Sequence, residues 1–176
     1  MGKPPPAPPI VIVMGVAGAG KSTVGAALAR HLGCAFADAD EFHPPANIAK
    51  MRAGTPLDDA DRQCWLAAIA ARIDSWRAAG QGGVIACSAL KRAYRDIIIG
   101  ARAELRLAYL RGAPALIRDR LQRRRHHFMP ASLLDSQFAT LEEPGVEERP
   151  IVVDAAKSAT ELAAEILAAL DGDQRQ

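Results

Sequence analysis

At 176 residues, with 49% hydrophobic residues, 24% charged residues and a net charge of +2, the chain has the make-up of one globular domain. That balance excludes a global field of the kind that draws nucleic acid or membrane surfaces, and no apolar run approaches the roughly 18 residues that span a bilayer. Cys34, Cys64 and Cys87 are odd in number and lack metal-type spacing, so they read as reduced thiols of a cytoplasmic protein.

Residues 1–9 are rich in proline and read as a disordered lead-in rather than a signal peptide. Ile10 to Met14 is a continuous apolar run, as expected of a central parallel strand buried on both faces. Ser22 to Leu32 has helical composition and stops at Gly33, a left-handed cap. A short strand ends near Asp38. Asp58 to Ala79 places Trp65, Leu66, Ile69, Ile73 and Trp76 on one helical face. Strands are expected at Val84 to Cys87, Leu105 to Leu110 and Ile151 to Val153. Helices fit Arg92 to Ile99, Pro114 to Arg125, and Ser158 to Leu170, the last opened by the capping-box pair Ser158 and Glu161. Strands alternating with helices predict an α/β fold with a parallel sheet, a single domain over residues 10–170, and a flexible tail over 171–176.

Gly15-Val16-Ala17-Gly18-Ala19-Gly20-Lys21-Ser22 satisfies the phosphate-loop pattern G-x-x-x-x-G-K-[ST], between a buried strand and a helix. The glycines let successive backbone N–H groups turn inward onto phosphate oxygens, and the following helix adds its N-terminal donors and dipole. Lys21 can reach the β- and γ-phosphates, and the Ser22 hydroxyl is placed to ligate Mg²⁺. The loop predicts binding of a nucleoside triphosphate and transfer of its γ-phosphate to a small acceptor.

Asp38 and Asp40 lie where the second strand should end, two apart and so on one side of an extended backbone, facing the ligand crevice of an open α/β sheet. One could hold Mg²⁺ and the other accept the proton of an attacking hydroxyl; the alternative is a solvated loop. Phe42 to Arg52 is dense in donors suited to a polyhydroxylated anion, though a solvated helix would look the same. Asp58, Asp59 and Asp61 fit the N-terminus of their helix better than a ligand. Lys91 and Arg95, four apart after the third strand, could clamp one anion or form an ordinary surface pair. Arg118, Arg120, Arg123, Arg124 and Arg125 form the densest positive run. They suit a lid that neutralises a phosphoryl group and excludes water, or a solvated helix face. No aromatic platform interleaves to favour nucleic acid, and His126-His127 lacks partners for a metal site.

Together these residues resemble the gluconokinases of the shikimate-kinase-like group, from Ile10 to about Leu167. The resemblance rests on the loop Gly15 to Thr23; on Asp38-Ala39-Asp40 with His43-Pro44, Asn47, Lys50 and Met51; and on Gly54-Thr55-Pro56-Leu57 with Asp61-Arg62 and Trp65-Leu66. It rests also on Cys87 to Lys91 with Tyr94-Arg95-Asp96, and on His127-Phe128 followed by Leu133-Leu134, Ser136-Gln137-Phe138, Leu141-Glu142 and Pro144. It implies a five-stranded parallel sheet flanked by helices, a mobile lid over about residues 123–136, and a homodimer. It further implies ATP- and Mg²⁺-dependent phosphorylation of D-gluconate at its terminal hydroxyl, giving 6-phosphogluconate.

By matching position, the resemblance makes Lys21, Asp40 and Arg124 the catalytic candidates, with Asp40 as base. Gly15, Val16, Ala17, Gly18, Ala19, Gly20, Lys21, Ser22, Thr23, Arg120 and Arg124 would hold the nucleotide, and Ser22 and Asp38 the metal. Asp40, His43, Asn47, Arg52, Lys91, Arg95 and Gln137 would grip the acid. Two residues depart from the family pattern. Cys64 stands where proline is usual, a change expected to touch only a helix start, and His126 replaces a glycine in the lid. The competing readings are a kinase for another sugar acid or for shikimate, and a nucleotide sensor without an acceptor. The carboxylate pair and the cationic stretches disfavour the sensor.

Overall fold

The computed structural model describes residues 8–123 and 131–173. Their strands are β1 (Ile10–Met14), β2 (Ala35–Asp38), β3 (Gly83–Ala86), β4 (Arg106–Arg111) and β5 (Ile151–Asp154). Among the described residues they form one parallel sheet in the order β2-β3-β1-β4-β5. The helices are α1 (Lys21–Leu32), α2 (Pro45–Arg52), α3 (Asp59–Ala78), α4 (Arg92–Ile98), α5 (Pro114–Arg123), α6 (Ala131–Thr140) and α7 (Ala159–Asp173).

Strand β1 has no polar face because both of its sides are covered. Val11 and Val13 pack with Val24 and Leu28 of α1, and with Leu162 and Ile166 of α7. Ile10, Ile12 and Met14 point the other way, onto Trp65, Leu66, Ile69 and Ile73 of α3 and Ile98 of α4. Side chains alternate across a strand, so a strand sandwiched between two helical layers must read as apolar at every position. Since β1 and β3 are paired neighbours in the centre of the sheet, the loops that follow them open at the same edge, where a ligand of such a fold binds.

The expected caps are present. Gly33 ends α1 at φ 61°, and Cys34 N–H donates to the Ala29 carbonyl at 3.0 Å. Asp58 and Asp61 exchange side-chain and backbone bonds as a capping box before α3, and Ser158 with Glu161 does the same before α7. At three places the described residues bear on the expected boundaries. Pro9 accepts Gly83 N–H at 3.2 Å, so the chain is already tied to β3 at Pro9; residues 1–7 lie outside the described residues. Asp171 to Asp173 continue α7 rather than forming a tail, and Asp173 pairs with Arg106; residues 174–176 lie outside the described residues. Residues 131–136 of the expected lid begin α6, which is packed: Leu134 is buried, and Asp135 bonds Arg118 of α5 at 2.6 Å. The rest of that lid, including Arg124, His126 and His127, lies outside the described residues. Among the described residues, no helix is long and apolar enough to cross a membrane.

Candidate active site

The loop between β1 and α1 turns on Gly15, Gly18 and Gly20, at φ 154°, 84° and 98°. A Cβ on Gly18 would meet Leu121 Cγ at 2.9 Å and Ile117 Cγ2 at 3.2 Å, so the bare glycine lets the loop lie flat on α5. That contact sets α5, and with it half-buried Arg120, beside the loop. Lys21 opens α1 and folds back, its Nζ donating to the Val16 carbonyl at 3.0 Å. Ala17 N–H is taken by the Gln137 side chain of α6, at 2.7 Å from Oε1.

Ser22 and Asp38 meet across the crevice. Ser22 Oγ donates to Asp38 Oδ2 at 2.5 Å, while Asp38 Oδ1 accepts Asp40 N–H at 3.1 Å. Strand β2 stops at Asp38 and residues Ala39–Phe42 form a 3₁₀ turn with Asp38 as its N-cap. The two carboxylates therefore do not share a side by strand periodicity, as the sequence suggested. Asp38 faces the phosphate loop, and Asp40 stands exposed on the turn. Among the described residues no three His, Cys, Asp or Glu side chains converge as a metal cage. The Ser22–Asp38 pair instead offers two hard oxygens, which suits a Mg²⁺ ion that is bound mostly through water and phosphate oxygens.

Trp65 holds the turn in place. Its Nε1 donates to the Ala39 carbonyl at 2.7 Å, and its ring stacks on His43 with centroids 4.7 Å apart and planes 9° from parallel. His43 Nδ1 is buried and has no hydrogen-bond partner among the described residues. Burial pushes the His43 pKa down, and Arg62 lowers it further against the opposing charge of Asp40. The ring is thus neutral near pH 7. Sequence reasoning missed this supporting role of Trp65, because its place on the apolar face of α3 already accounted for it.

The other expected acceptor residues divide sharply. Asn47 is buried, and its Nδ2 is committed to the Asp61 carbonyl at 2.8 Å. Lys50 pairs with Asp61 at 2.6 Å. Arg52 is exposed at the end of α2 and makes no hydrogen bond or ion pair among the described residues. Lys91 Nζ lies 2.9 Å from both carboxylate oxygens of Asp59, which also takes the Tyr94 hydroxyl. Asp59 therefore serves more than its helix terminus.

Arg95 does not join Lys91 in a clamp. Lys91 is the extended N-cap of α4 (φ −93°, ψ 145°), so helical spacing does not govern its direction. The Arg95 guanidinium is buried instead. Nε and Nη2 hold Glu148 at 2.6 and 2.9 Å, and Nη1 serves the carbonyls of Ala89, Leu90 and Glu142 at 3.0, 3.2 and 2.9 Å. Every nitrogen of the group is spent on the protein. Ala89, one of these partners, is held at φ 44°, where L-residues are strained. The Cys87 thiol just before it is pushed up to about 12 by burial and is chemically silent at neutral pH. Cys64 lies exposed in the second turn of α3, beyond the helix start where its effect was expected.

A family model described as "Shikimate kinase" matches residues 17–171. A gluconokinase of Gluconobacter oxydans is 48% identical over 150 residues, which cover 85% of this chain and 84% of that protein. The thermoresistant gluconokinase of Escherichia coli is 41% identical over 82% of each chain. The crystal structure of a gluconokinase from Sinorhizobium meliloti superposes with a TM-score of 0.85 at 45% identity, covering 93% of this chain and 92% of that one.

Proposed function

The chain belongs to the gluconokinases of the shikimate kinase family, and from that premise we propose how its residues carry out the reaction. The activity is ATP-dependent phosphorylation of D-gluconate to 6-phosphogluconate. The Gly15–Thr23 loop and Lys21 receive the β- and γ-phosphates, with Arg120 adding charge from α5; Arg124, by the family resemblance alone, is a second cation for the nucleotide. Ser22 and Asp38 hold Mg²⁺, which would offset the phosphate charge during transfer. Asp40 accepts the proton of the terminal hydroxyl as its oxygen attacks the γ-phosphorus. The bond to the β–γ bridging oxygen breaks, and ADP leaves with the electron pair. Such transfer depends mainly on positioning and charge, which is what these groups offer.

The observation that carries this reading is the Ser22–Asp38 contact, which joins the phosphate loop to the turn bearing Asp40 and His43. On the acceptor side, His43 through Nε2, Arg52 and Lys91 keep polar groups for the acid. Asn47 acts through the backbone of Asp61 instead. A homodimer and a cytoplasmic place in sugar-acid catabolism belong to the same proposal. They rest on the family resemblance and on the three unpaired cysteines. ADP release measured over a panel of sugar acids and shikimate tests the assignment. Gluconate should give the fastest turnover, and no acceleration by gluconate would overturn the reading.

A further inference from the structure

Gln137 and Ala17 are 120 residues apart, yet Gln137 Oε1 accepts Ala17 N–H at 2.7 Å. Backbone N–H groups of a phosphate loop are aimed inward at anions, so a side chain that takes one of them stands at the mouth of the loop. An amide carries its oxygen and nitrogen on one carbon, which puts the two Nε2 hydrogens at that mouth as well. Nε2 makes no hydrogen bond among the described residues, and the side chain is half-buried.

The helix that carries Gln137 is fixed from both sides. Asp135 is tied to Arg118 of α5, and Leu134 is buried in the same apolar cluster as Val16 and Ile117. Past its C-terminal end, Glu142 N–H donates to the Leu90 carbonyl at 2.8 Å, and the Glu142 carbonyl accepts from Arg95. One short helix therefore meets the nucleotide loop and the loop after β3 together.

We propose that Gln137 is a positioning residue for the phosphoryl group in flight. Its oxygen locks Ala17, and its amide N–H donors are presented to the oxygens of the transferring phosphate. This assignment rests on the kinase reading above and replaces the acid-gripping role that the sequence resemblance implied. A donor of this kind acts most strongly when charge is moving, so its loss should fall on kcat.

The test uses the full chain, after the unmodified enzyme has been shown to phosphorylate gluconate; failure at that step counts against the kinase reading alone. Gln137→Met keeps the length of the side chain and removes both polar ends. At saturating substrates its kcat should fall on the order of 100-fold. The KM for gluconate and the Kd for a non-hydrolysable ATP analogue should stay within about threefold. Gln137→Glu retains an acceptor for Ala17 but has no N–H to give, and it should be as slow as the Met variant. Four results would each overturn the proposal. They are unchanged kcat in the Met variant, recovery of kcat in the Glu variant, a rise confined to the gluconate KM, and tighter nucleotide binding, which would make Gln137 a plug in the phosphate site.

Discussion

Replacing Arg95 with methionine separates a scaffold residue from a substrate contact. The Arg95 side chain is 1% exposed and its partner Glu148 is 11% exposed, so truncation strands a carboxylate away from water. Removing one member of a buried ion pair costs about 3–5 kcal/mol. The carbonyls of Ala89, Leu90 and Glu142 lose a donor in the same step, which pushes the cost toward the upper end. Against a total stability of roughly 5–15 kcal/mol, Arg95→Met should be severely destabilised. At about 2–4 °C per kcal/mol for a chain of this size, a loss near 4 kcal/mol lowers Tm by about 8–16 °C. Thermal unfolding followed by circular dichroism reads that shift, and kinetics below the new Tm read the site. Glu148→Gln should cost less, because an amide oxygen can still accept from the guanidinium. If Arg95→Met instead keeps its Tm within about 2 °C while its gluconate KM rises, the guanidinium grips the acid and the buried-hub reasoning fails.

Asp40→Asn should lower kcat far more than it weakens ATP binding, because the amide keeps the shape of the carboxylate but cannot take the hydroxyl proton. A loss of about 10²- to 10⁴-fold is expected. Equal losses in kcat and in nucleotide affinity, measured by steady-state kinetics and titration, would give Asp40 a structural role. The pH dependence of stability should carry a signature of His43. Its folded pKa lies below the ordinary value of 6.5, so just below that pH the unfolded chain binds the proton and the folded chain does not. This contribution is present in full above 6.5 and is lost as pH falls through the depressed folded value. His43→Gln should therefore flatten the fall in Tm just below pH 6.5. It should leave the fall at lower pH, which reflects carboxylates held down by basic partners, such as Glu148 by Arg95 and Asp74 at about 2 by Arg102. Parallel Tm–pH curves for the two proteins would mean that His43 does not titrate as its burial requires.

The donor half of the site is readable in the sequence because it is built from consecutive backbone. Gly15 to Ser22 turns on its own glycines, and the strand before it and helix after it are the context the pattern demands. The acceptor half is built from side chains whose directions are set by distant partners. Residues two apart share a side only while the strand lasts, and β2 ends at Asp38, so Asp38 turns to Ser22 while Asp40 goes with the 3₁₀ turn. Residues four apart share a face only within a helix. Lys91 is outside α4 and is drawn to Asp59, 32 residues away, whereas Arg95 is inside and is drawn to Glu148, 53 residues away. Spacing therefore cannot tell a cation that grips the acid from one that holds the loop gripping it. What separates them is which donors remain uncommitted. Every nitrogen of Arg95 is already engaged, the ammonium of Lys91 is shared with one exposed carboxylate, and the amide N–H groups of Gln137 make no hydrogen bond among the described residues.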